Sequence, residues 1–264
     1  MLQKKSRRLE AQQFVVEGPS AVREVLIAAP SRVLDIFVTE SALAKHPDIA
    51  TLAERHLVDI EPVSEQVLAQ MADTVTPQGV IAVVTIEEPR WSDIAAKKPR
   101  LICIADQVRD PGNLGTIIRV ADAAGADAVI VTEDSVDVYN PKVVRSTTGS
   151  LFHLPVLTDV PTRDALQWAR DASLQVLVAD MAGESLPALF REGSLAAPTA
   201  WVMSNEAHGA SDGVRESADK VVAIPHYGLA ESLNLATAAA VCLFQSAFAQ
   251  REHSPGDEGP GLAQ

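Results

Sequence analysis

The feature that most constrains this chain is a series of short apolar runs that alternate with helical patterns. In the second half of the chain these runs are LICIAD, ADAVIVT, QVLVAD, TAWVMSNE and KVVAIPH, in that order. A strand that is apolar on both sides is buried on both faces, and such strands are typical of parallel sheets covered by helices. We therefore predict an α/β fold with a mainly parallel sheet for this part of the chain.

A smaller α/β unit is predicted in front of this sheet, between Phe14 and Ile86. FVVEG, RVLDIFVTE and GVIAVVTI are typical of strands, and helical patterns lie between them. The segment EEPRWSDIAAKKPR then breaks the alternation with prolines and charges. These boundaries predict a first domain over residues 1–90, a linker over 91–100, a second domain over 101–250 and a disordered tail, rich in Gly, Pro and charge, over 251–264.

Composition permits a folded protein and restricts how it binds nucleic acid. The 264 residues are 47% hydrophobic, which is enough for a sizeable core, and the net charge is −13. Such an acidic chain does not bind nucleic acid by bulk attraction alone, so any contact needs a local basic patch. The N-terminus offers Lys4, Lys5, Arg7 and Arg8, although a solvated, flexible start is an equally open interpretation.

Several classes of site are disfavoured by what the sequence lacks. Cys103 and Cys242 lie far apart in apolar runs, without a CxxC pair or a nearby His cluster, so neither a disulfide framework nor a metal site is expected. There is no Walker A sequence and no GxGxxG between a strand and a helix, which disfavours a conventional nucleotide site.

The chain also lacks membrane and export signals. Its basic start has no apolar stretch behind it, so it is not a secretory signal. The apolar last helix contains Asn234, Thr237 and Gln245, so we expect a buried core helix and no membrane span. A cytoplasmic protein is predicted.

Three loops that follow strands carry the candidate site residues, because ligands of open parallel sheets gather at the carboxyl ends of strands. The first loop and its helix are DPGNLGTIIRVADAAG. Asn113 is predicted to cap this helix, and Arg119 must leave an apolar neighbourhood towards a polar or anionic group. A capped helix with one surface arginine is the alternative.

The second and third loops are weaker signals when each is taken alone. The second follows the strand WVM and contains Ser204, Asn205, Glu206 and Gly209. Small residues there let backbone groups approach a ligand, although an ordinary turn is equally consistent. The third, IPHYGLAESLN, precedes the last helix. Ser232 is a natural N-cap for that helix, whereas Asn234 at the start of a buried helix needs a hydrogen-bond partner.

Together the three loops resemble the sequence motifs of the SpoU (TrmH) family of RNA ribose 2′-O-methyltransferases. PGNLGTIIRVADAAG resembles the first motif, SNEAHG the second and IPHYGLAESLNLATAAAV the third, in the family's order. FVVEGPSAVREVL is similar to the opening of the substrate-binding domain that often precedes this catalytic domain. The chain departs from the family at Ser204 and Ala207, where glycine is usual, and at His226, where methionine is usual.

The resemblance implies an architecture and a cofactor. The catalytic domain would be an α/β-knot (SPOUT) methyltransferase domain with a deep trefoil knot, acting as a homodimer, behind a small N-terminal α/β RNA-binding domain. The second and third motif loops would hold S-adenosyl-L-methionine in a bent shape. The cofactor-binding residues implied in this way are Ala179, Val202, Met203, Ser204, Asn205, Gly209, Ile224, Pro225, Ser232 and Leu233.

Catalytic roles also follow from the resemblance. Arg119 would touch the target ribose and its phosphate, Asn113 would position the same ribose, and Glu206 would hold the second loop in shape. Ser232 and Asn234 would brace the site. Because a guanidinium stays protonated and only donates hydrogen bonds, Arg119 is expected to orient the nucleotide and stabilise developing oxyanion character. Arg145 is a further candidate for a phosphate contact, with an exposed loop arginine as the alternative. The sequence does not decide the roles of His208 and His226: neutral loop histidines are the default interpretation, and stacking of either one on adenine or RNA is the alternative.

The expected substrate is 23S ribosomal RNA, because a separate N-terminal domain of this kind is more typical of the family's ribosomal RNA enzymes. Antibiotic-resistance methyltransferases of ribosomal RNA share the same layout. A tRNA ribose 2′-O-methyltransferase and a knotted RNA-binding protein without catalysis are the alternatives, and a small-molecule α/β enzyme is a more distant one. Retention of the polar motif residues counts against the non-catalytic alternative.

Overall fold

The computed structural model describes residues 2–205 and 209–252 of the chain. The chain divides into two compact units. The first contains residues 2–88 together with 137–153, and the second contains the remaining described residues. The return of 137–153 to the first unit was not foreseen from the sequence. The predicted disordered tail lies outside the described residues from His253 onwards, while its first two residues belong to the last helix.

Strands and helices alternate over most of the chain. Up to residue 88 the elements are α1 (Lys5–Ala11), β1 (Gln13–Glu17), α2 (Pro19–Ala28), β2 (Val33–Val38), α3 (Glu40–Lys45), α4 (Pro47–His56), β3 (Asp59–Pro62), α5 (Glu65–Met71) and β4 (Val80–Thr85). They are followed by α6 (Trp91–Ala96), β5 (Leu101–Asp106), α7 (Pro111–Ala124), β6 (Ala128–Thr132), α8 (Pro141–Thr147), β7 (Val156–Val160), α9 (Thr162–Asp171), β8 (Gln175–Ser185), α10 (Leu186–Arg191), β9 (Thr199–Ser204), α11 (Asp212–Glu216), β10 (Lys220–Ala223) and α12 (Leu235–Glu252).

The first unit is built on a mixed sheet. Its strand order is β1-β4-β2-β3, with β4 antiparallel to β1 and to β2, and with β2 parallel to β3. Phe14 of β1 is fully buried and packs on the ring of Tyr139, with the two centroids 4.9 Å apart. Burial raises the pKa of Tyr139 to about 12, so its phenol stays neutral. Segment 137–153 is thus part of the first unit's core.

The second unit carries the predicted parallel sheet. Its strand order within the described residues is β10-β8-β9-β5-β6-β7, and all neighbouring strands run parallel. The predicted fold class is confirmed. Every residue of β5 is buried, because α7 and α12 pack on this strand. A sheet covered in this way leaves polar side chains to the ends of its strands.

The segment predicted to be a linker begins with a short helix. Ile94 of α6 is buried in the hydrophobic core of the second unit, and Trp91 packs on Trp168 with ring centroids 4.9 Å apart. Residues three apart share one face of a helix, which explains why Ile94 and the half-buried Trp91 both face the core. The prolines and charges around them hid this pattern in the sequence.

Both cysteines are free and buried. Burial raises the pKa of the Cys103 thiol to about 12 and raises that of Cys242 as well. Because the thiolate is the reactive form, neither cysteine is a nucleophile at neutral pH. No helix in the described ranges has the length and apolarity needed to cross a membrane.

One buried polar contact ties α12 to the sheet. The indole Nε1 of Trp201, on β9, donates to the hydroxyl oxygen of Ser246 at 2.9 Å, and both residues are fully buried. Such a contact is satisfied only when helix and strand are in register with each other. It therefore fixes how α12 lies on the sheet.

We expect Ser246→Ala to lower the free energy of unfolding of the second unit by about 1–3 kcal/mol, because it leaves a buried indole N–H without an acceptor. Urea unfolding followed by tryptophan fluorescence measures this. Ser92→Ala is the control, since the Ser92 hydroxyl bonds an exposed carboxylate and its loss should cost less than about 0.5 kcal/mol. Equal effects of the two substitutions would contradict the assignment.

Candidate cofactor and catalytic site

A cavity of about 340 Å³ opens at the carboxyl ends of β8, β9 and β10. Its walls come from the middle of β8, the end of β9 with the following loop, β10 with the loop that follows it, and the start of α12. Eight of the ten predicted cofactor-binding residues line it: Ala179, Met203, Ser204, Asn205, Gly209, Ile224, Ser232 and Leu233. The other lining residues are Asp180, Met181, Val222, His226, Leu235 and Ala238.

Two predicted cofactor residues do not line the cavity. The side chain of Val202 is fully buried in the hydrophobic core of the second unit. Neighbouring residues of a strand point to opposite faces, so Val202 packs in the core while Met203 reaches the cavity. Pro225 lies between the lining residues Ile224 and His226 and contributes to the course of that loop.

A break in the pairing of β8 with β10 makes room for the cavity. Val221 pairs with Val178, whereas the next residue, Val222, pairs with Glu184. Residues 179–183 are therefore pushed out of the ladder, and three of them line the cavity. A Cβ at Gly183 would lie 2.4 Å from the backbone carbonyl of Val221, so only glycine lets the two strands meet again after the bulge.

A buried carboxylate holds the strand ends together beside the cavity. Asp106, at the end of β5, is 5% exposed. It accepts hydrogen bonds from Thr132 at 3.3 Å, from Thr162 at 2.8 Å and from Ser204 at 3.2 Å. These hydroxyls come from the ends of β6 and β9 and from the start of α9. Ser204, where the family usually has glycine, therefore contributes a contact that glycine cannot make. No pattern in the sequence indicated this role of Asp106.

The second motif loop is held from two further directions. Asn205 donates its amide to the carbonyl oxygen of Gln107 at 3.2 Å. Gly209 has a φ of 64°, and a Cβ there would lie 3.3 Å from Asp180, which in turn accepts from Arg215 at 3.0 Å. Glycine is favoured at this φ because other residues are strained there. Residues 206–208 lie outside the described residues, so the role of Glu206 stays a prediction, as does that of His208.

The first and third motifs meet through a side-chain hydrogen bond. The amide of Asn234 donates to the side-chain oxygen of Asn113 at 2.8 Å. Its own side-chain oxygen accepts from the backbone N–H of Ala236 at 3.0 Å and of Thr237 at 3.2 Å, so Asn234 caps α12. The prediction that Ser232 caps this helix was wrong, because the helix starts two residues later. Ser232 lines the cavity instead.

The predicted cap of α7 was also wrong. The side chain of Asp110 accepts from the backbone N–H of Asn113 at 2.8 Å, so Asp110 is the cap and Asn113 lies in the first turn. This position frees the side chain of Asn113 for its contact with the third motif. Arg119, two turns further along α7, is exposed. Its guanidinium makes no hydrogen bond or ion pair with the residues that the structure describes.

The basic residues predicted to contact RNA differ in exposure. Lys4, Lys5 and Arg7 are exposed on or next to α1, and Arg7 pairs with Glu10 at 2.6 Å. Arg8 is 3% exposed, which does not fit a surface contact with RNA. It donates to the carbonyl oxygens of residues 2 and 3 and pairs with Asp137, so it is a structural link within the first unit.

Arg145 lies on α8 and is not in a loop. Its guanidinium is 3.0 Å from the carboxylate of Asp73 and 3.8 Å from that of Glu17, and its side chain is 29% exposed. All three residues belong to the first unit. A phosphate contact by Arg145 therefore has to compete with two carboxylates, which was not expected from the sequence.

Fold and site together define a class of protein: a parallel α/β domain with a cavity towards the carboxyl ends of its strands, lined by parts of β8, β9 and β10 and by the loops after β9 and β10. Residues 100–244 match the SpoU rRNA Methylase family. Residues 15–90 match the family described as RNA 2′-O ribose methyltransferase substrate binding. The chain belongs to the SpoU rRNA Methylase family, as its motifs indicated.

Individual relatives cover nearly the whole chain. It is 32% identical over 243 residues to the 23S rRNA (guanosine(2553)-2′-O)-methyltransferase RlmP of Bacillus subtilis, covering 92% of each chain. An AdoMet-bound rRNA methyltransferase from Sinorhizobium meliloti has a TM-score of 0.80 at 30% identity, covering 96% of this chain and 92% of that one. The SpoU methyltransferase AviRb from Streptomyces viridochromogenes, in complex with AdoMet, has a TM-score of 0.81 at 29% identity, covering 96% of both.

Asn234 both caps α12 and contacts Asn113, so two different substitutions at this position should differ in their effect on stability. We expect Asn234→Ala to lower the free energy of unfolding by about 1 kcal/mol, because α12 loses its cap. Asn234→Ser retains a capping oxygen but is too short to reach Asn113, so its stability should stay within a few tenths of a kcal/mol of the native protein. Thermal unfolding measures both. A serine variant as unstable as the alanine variant would show that the contact with Asn113, and not the cap, stabilises the helix.

Proposed function

We propose that this protein transfers the methyl group of S-adenosyl-L-methionine to a ribose 2′-hydroxyl of 23S ribosomal RNA. The observation that carries the proposal is one cavity at the carboxyl edge of the sheet that the second and third motif segments line, with the first motif segment joined to the third by the hydrogen bond from Asn234 to Asn113. Two of the relatives named above, from Bacillus subtilis and Sinorhizobium meliloti, are rRNA methyltransferases by their names, which supports the substrate class.

The cavity suits S-adenosyl-L-methionine in size and chemistry. Its volume of about 340 Å³ lies in the range of small-ligand sites. Met203, Ile224 and Leu235 offer apolar contact, while Asp180, Asn205 and Ser232 offer polar groups. The cofactor supplies an electrophilic methyl group on a sulfonium. The protein supplies orientation, exclusion of water and help with the proton of the hydroxyl.

Arg119 is assigned the contact with the reacting nucleotide. It is exposed on the helix that also carries Asn113, and no carboxylate among the described residues neutralises it. A guanidinium is a poor proton acceptor but a strong, forked donor to phosphate and to developing negative charge on oxygen. Arg119 therefore orients the ribose and its phosphate and stabilises the oxyanion that develops on the attacking oxygen.

The asparagine pair positions this chemistry against the cofactor cavity. Asn113 lies on the same helix as Arg119, and Asn234 connects it to the third motif, in which Ser232 lines the cavity. In the proposed reaction Asn113 aligns the ribose. Ser232 and Asn234 brace the loop, and Glu206, outside the described residues, holds the second loop.

Contacts with the rest of the RNA are assigned to the first unit. Lys4, Lys5 and Arg7 form its exposed basic start, and the match to a substrate-binding family over residues 15–90 supports this role. Arg145 joins them only if phosphate displaces Asp73 and Glu17. Arg8 is excluded from this surface by its burial.

A knotted, dimeric and cytoplasmic protein is part of the proposal. Membership of the family supports the deep trefoil knot. A homodimer is supported by one face of α12, where Phe248 is 51% exposed and packs on Phe244 with ring centroids 5.6 Å apart. An aromatic pair with Phe248 exposed and Phe244 half-buried, on a helix of which half the residues are buried, suits contact with a second copy of the chain. A cytoplasmic location agrees with ribosomal RNA as substrate.

The decisive experiment is methyl transfer from radiolabelled S-adenosyl-L-methionine to 23S ribosomal RNA and to tRNA in separate reactions. We expect label in 23S RNA with the native protein, and Arg119→Lys should reduce turnover at least about 100-fold because a lysine cannot form the guanidinium's forked contact. Cofactor affinity, measured by calorimetry, should not change.

Arg163→Lys is the matched control, because Arg163 is an exposed arginine of the same unit at the start of α9. Its activity should equal that of the native protein. Label in tRNA alone would move the substrate to the tRNA alternative. Cofactor binding without label in either RNA, or in ribosomal particles, would favour the non-catalytic alternative. An active Arg119→Lys protein would refute the role given to this arginine.

A further inference from the structure

A second cavity, of about 280 Å³, lies at the opposite edge of the parallel sheet. It is formed where α6 ends, β5 begins, and α7 and α12 end. We call it the basic cavity, because its lining includes Lys97, Lys98, Arg100 and Arg251. The cofactor cavity lies at the other end of the same strands. The two cavities are therefore separated by the length of a six-residue strand such as β5, about 20 Å.

The four cations of the basic cavity have no carboxylate partner among the described residues. This is notable in a chain with 22 Lys and Arg against 35 Asp and Glu. One carboxylate, Asp127, lines the cavity, but its oxygen accepts from the backbone N–H of Arg100 at 2.7 Å and of Leu101 at 3.0 Å. Elsewhere in the same unit, Lys220 pairs with Glu184 and Arg215 with Asp180.

Hydrogen bonds to backbone carbonyl oxygens hold the side chains of Arg100 and Arg251 in place, and each guanidinium keeps further N–H donors for a ligand. Arg100 donates to the carbonyl oxygen of Ala196 at 3.0 Å. Arg251 donates to the carbonyl oxygen of Ala124 at 3.2 Å and so caps the end of α7. This cap is enough to explain why an arginine occupies position 251. It does not explain Lys97 and Lys98, which are exposed and adjacent to it in the cavity wall. Each guanidinium has five N–H donors, so most stay available to a ligand.

We propose that the basic cavity binds backbone phosphates of the RNA substrate. This inference rests on the proposed function, because the proposed function is what identifies the bound polyanion as RNA. Two guanidinium groups held by backbone contacts and two exposed ammonium groups are the combination that phosphate oxygens favour. Because this cavity and the cofactor cavity lie at opposite edges of the sheet, the bound phosphates belong to RNA remote from the target nucleotide. The protein thereby prefers an RNA large enough to reach both edges.

The test is the double variant Lys97→Gln, Lys98→Gln, with binding to full-length 23S RNA measured by filter retention over a range of salt concentrations. Each lost phosphate contact lowers the slope of log affinity against log salt by about 0.7–0.9, so the double variant should lose about 1.4–1.8 in slope. At low salt its affinity should fall at least about 10-fold. Cofactor affinity should stay at the native value, because the cofactor cavity is untouched.

Lys220→Gln is the control for a change of charge. Lys220 begins β10, at the same edge of the sheet, but it is already paired with Glu184 at 3.3 Å. We expect its salt dependence to equal that of the native protein. Lys98→Glu is the second variant and should weaken RNA binding more than Lys98→Gln does.

The outcomes separate this inference from the proposed function. If the native protein methylates 23S RNA and the double variant keeps its full affinity and slope, the inference is overturned and the proposed function stands. If Lys220→Gln weakens RNA binding as much as the double variant does, a general loss of charge explains the effect and the inference is again overturned. If the native protein does not bind 23S RNA at all, both fail.

Discussion

Burial of the parallel sheet on both faces is the constraint from which the rest of the second unit follows. The strands of its centre have no exposed face, as the wholly buried β5 illustrates. Polar groups can then occur only where strands end, and in a parallel sheet all carboxyl ends lie at one edge. The cofactor cavity, the asparagine pair and the buried Asp106 all lie at that edge. The basic cavity occupies the other, which gives the unit two chemically distinct ends.

The cofactor edge is shaped by a few short polar contacts. Asp106 collects hydroxyl groups from three segments, and Asn234 both caps α12 and reaches Asn113. Such contacts are directional, so they hold loops in one geometry where apolar packing alone would allow several. Ser204 illustrates how a departure from the family's usual glycine is accommodated, because its hydroxyl joins the network around Asp106 and its backbone still borders the cavity.

Charge is distributed in a way that composition conceals. The chain is strongly acidic, yet its arginines differ: the side chains of some pair with carboxylates of the same unit, and those of others remain available to an anionic ligand. Arg8 is buried against Asp137 and Arg145 faces two carboxylates, so neither contributes freely to a surface potential. Arg119 and the basic cavity have no such partners among the described residues. Attraction of a polyanion by this protein is therefore local, and it depends on which cations the fold leaves unpaired.

Local sequence patterns were enough to predict the fold class and most of the residues that line the candidate cofactor cavity. Continuous apolar runs predicted the parallel sheet because burial on both faces admits few polar residues, and the motif order placed eight of the ten predicted cofactor residues in the cavity lining. Short or polar elements were not predicted from the sequence. One of them is β3, whose residues are mostly exposed and therefore leave no apolar pattern. The same holds for α6, where only Trp91 and Ile94 are packed inwards.

Contacts between residues distant in sequence could not be predicted from local patterns. The bulge of β8 depends on a close approach between Gly183 and Val221, which is a property of two strands and of neither one alone. Both helix caps were displaced from their predicted residues because the start of a helix is set by packing as well as by local propensity. The burial of Arg8, the pairing of Arg145 and the convergence of four cations at the basic cavity depend on segments distant in sequence. Local patterns cannot contain such contacts, since they arise only when the chain folds back on itself.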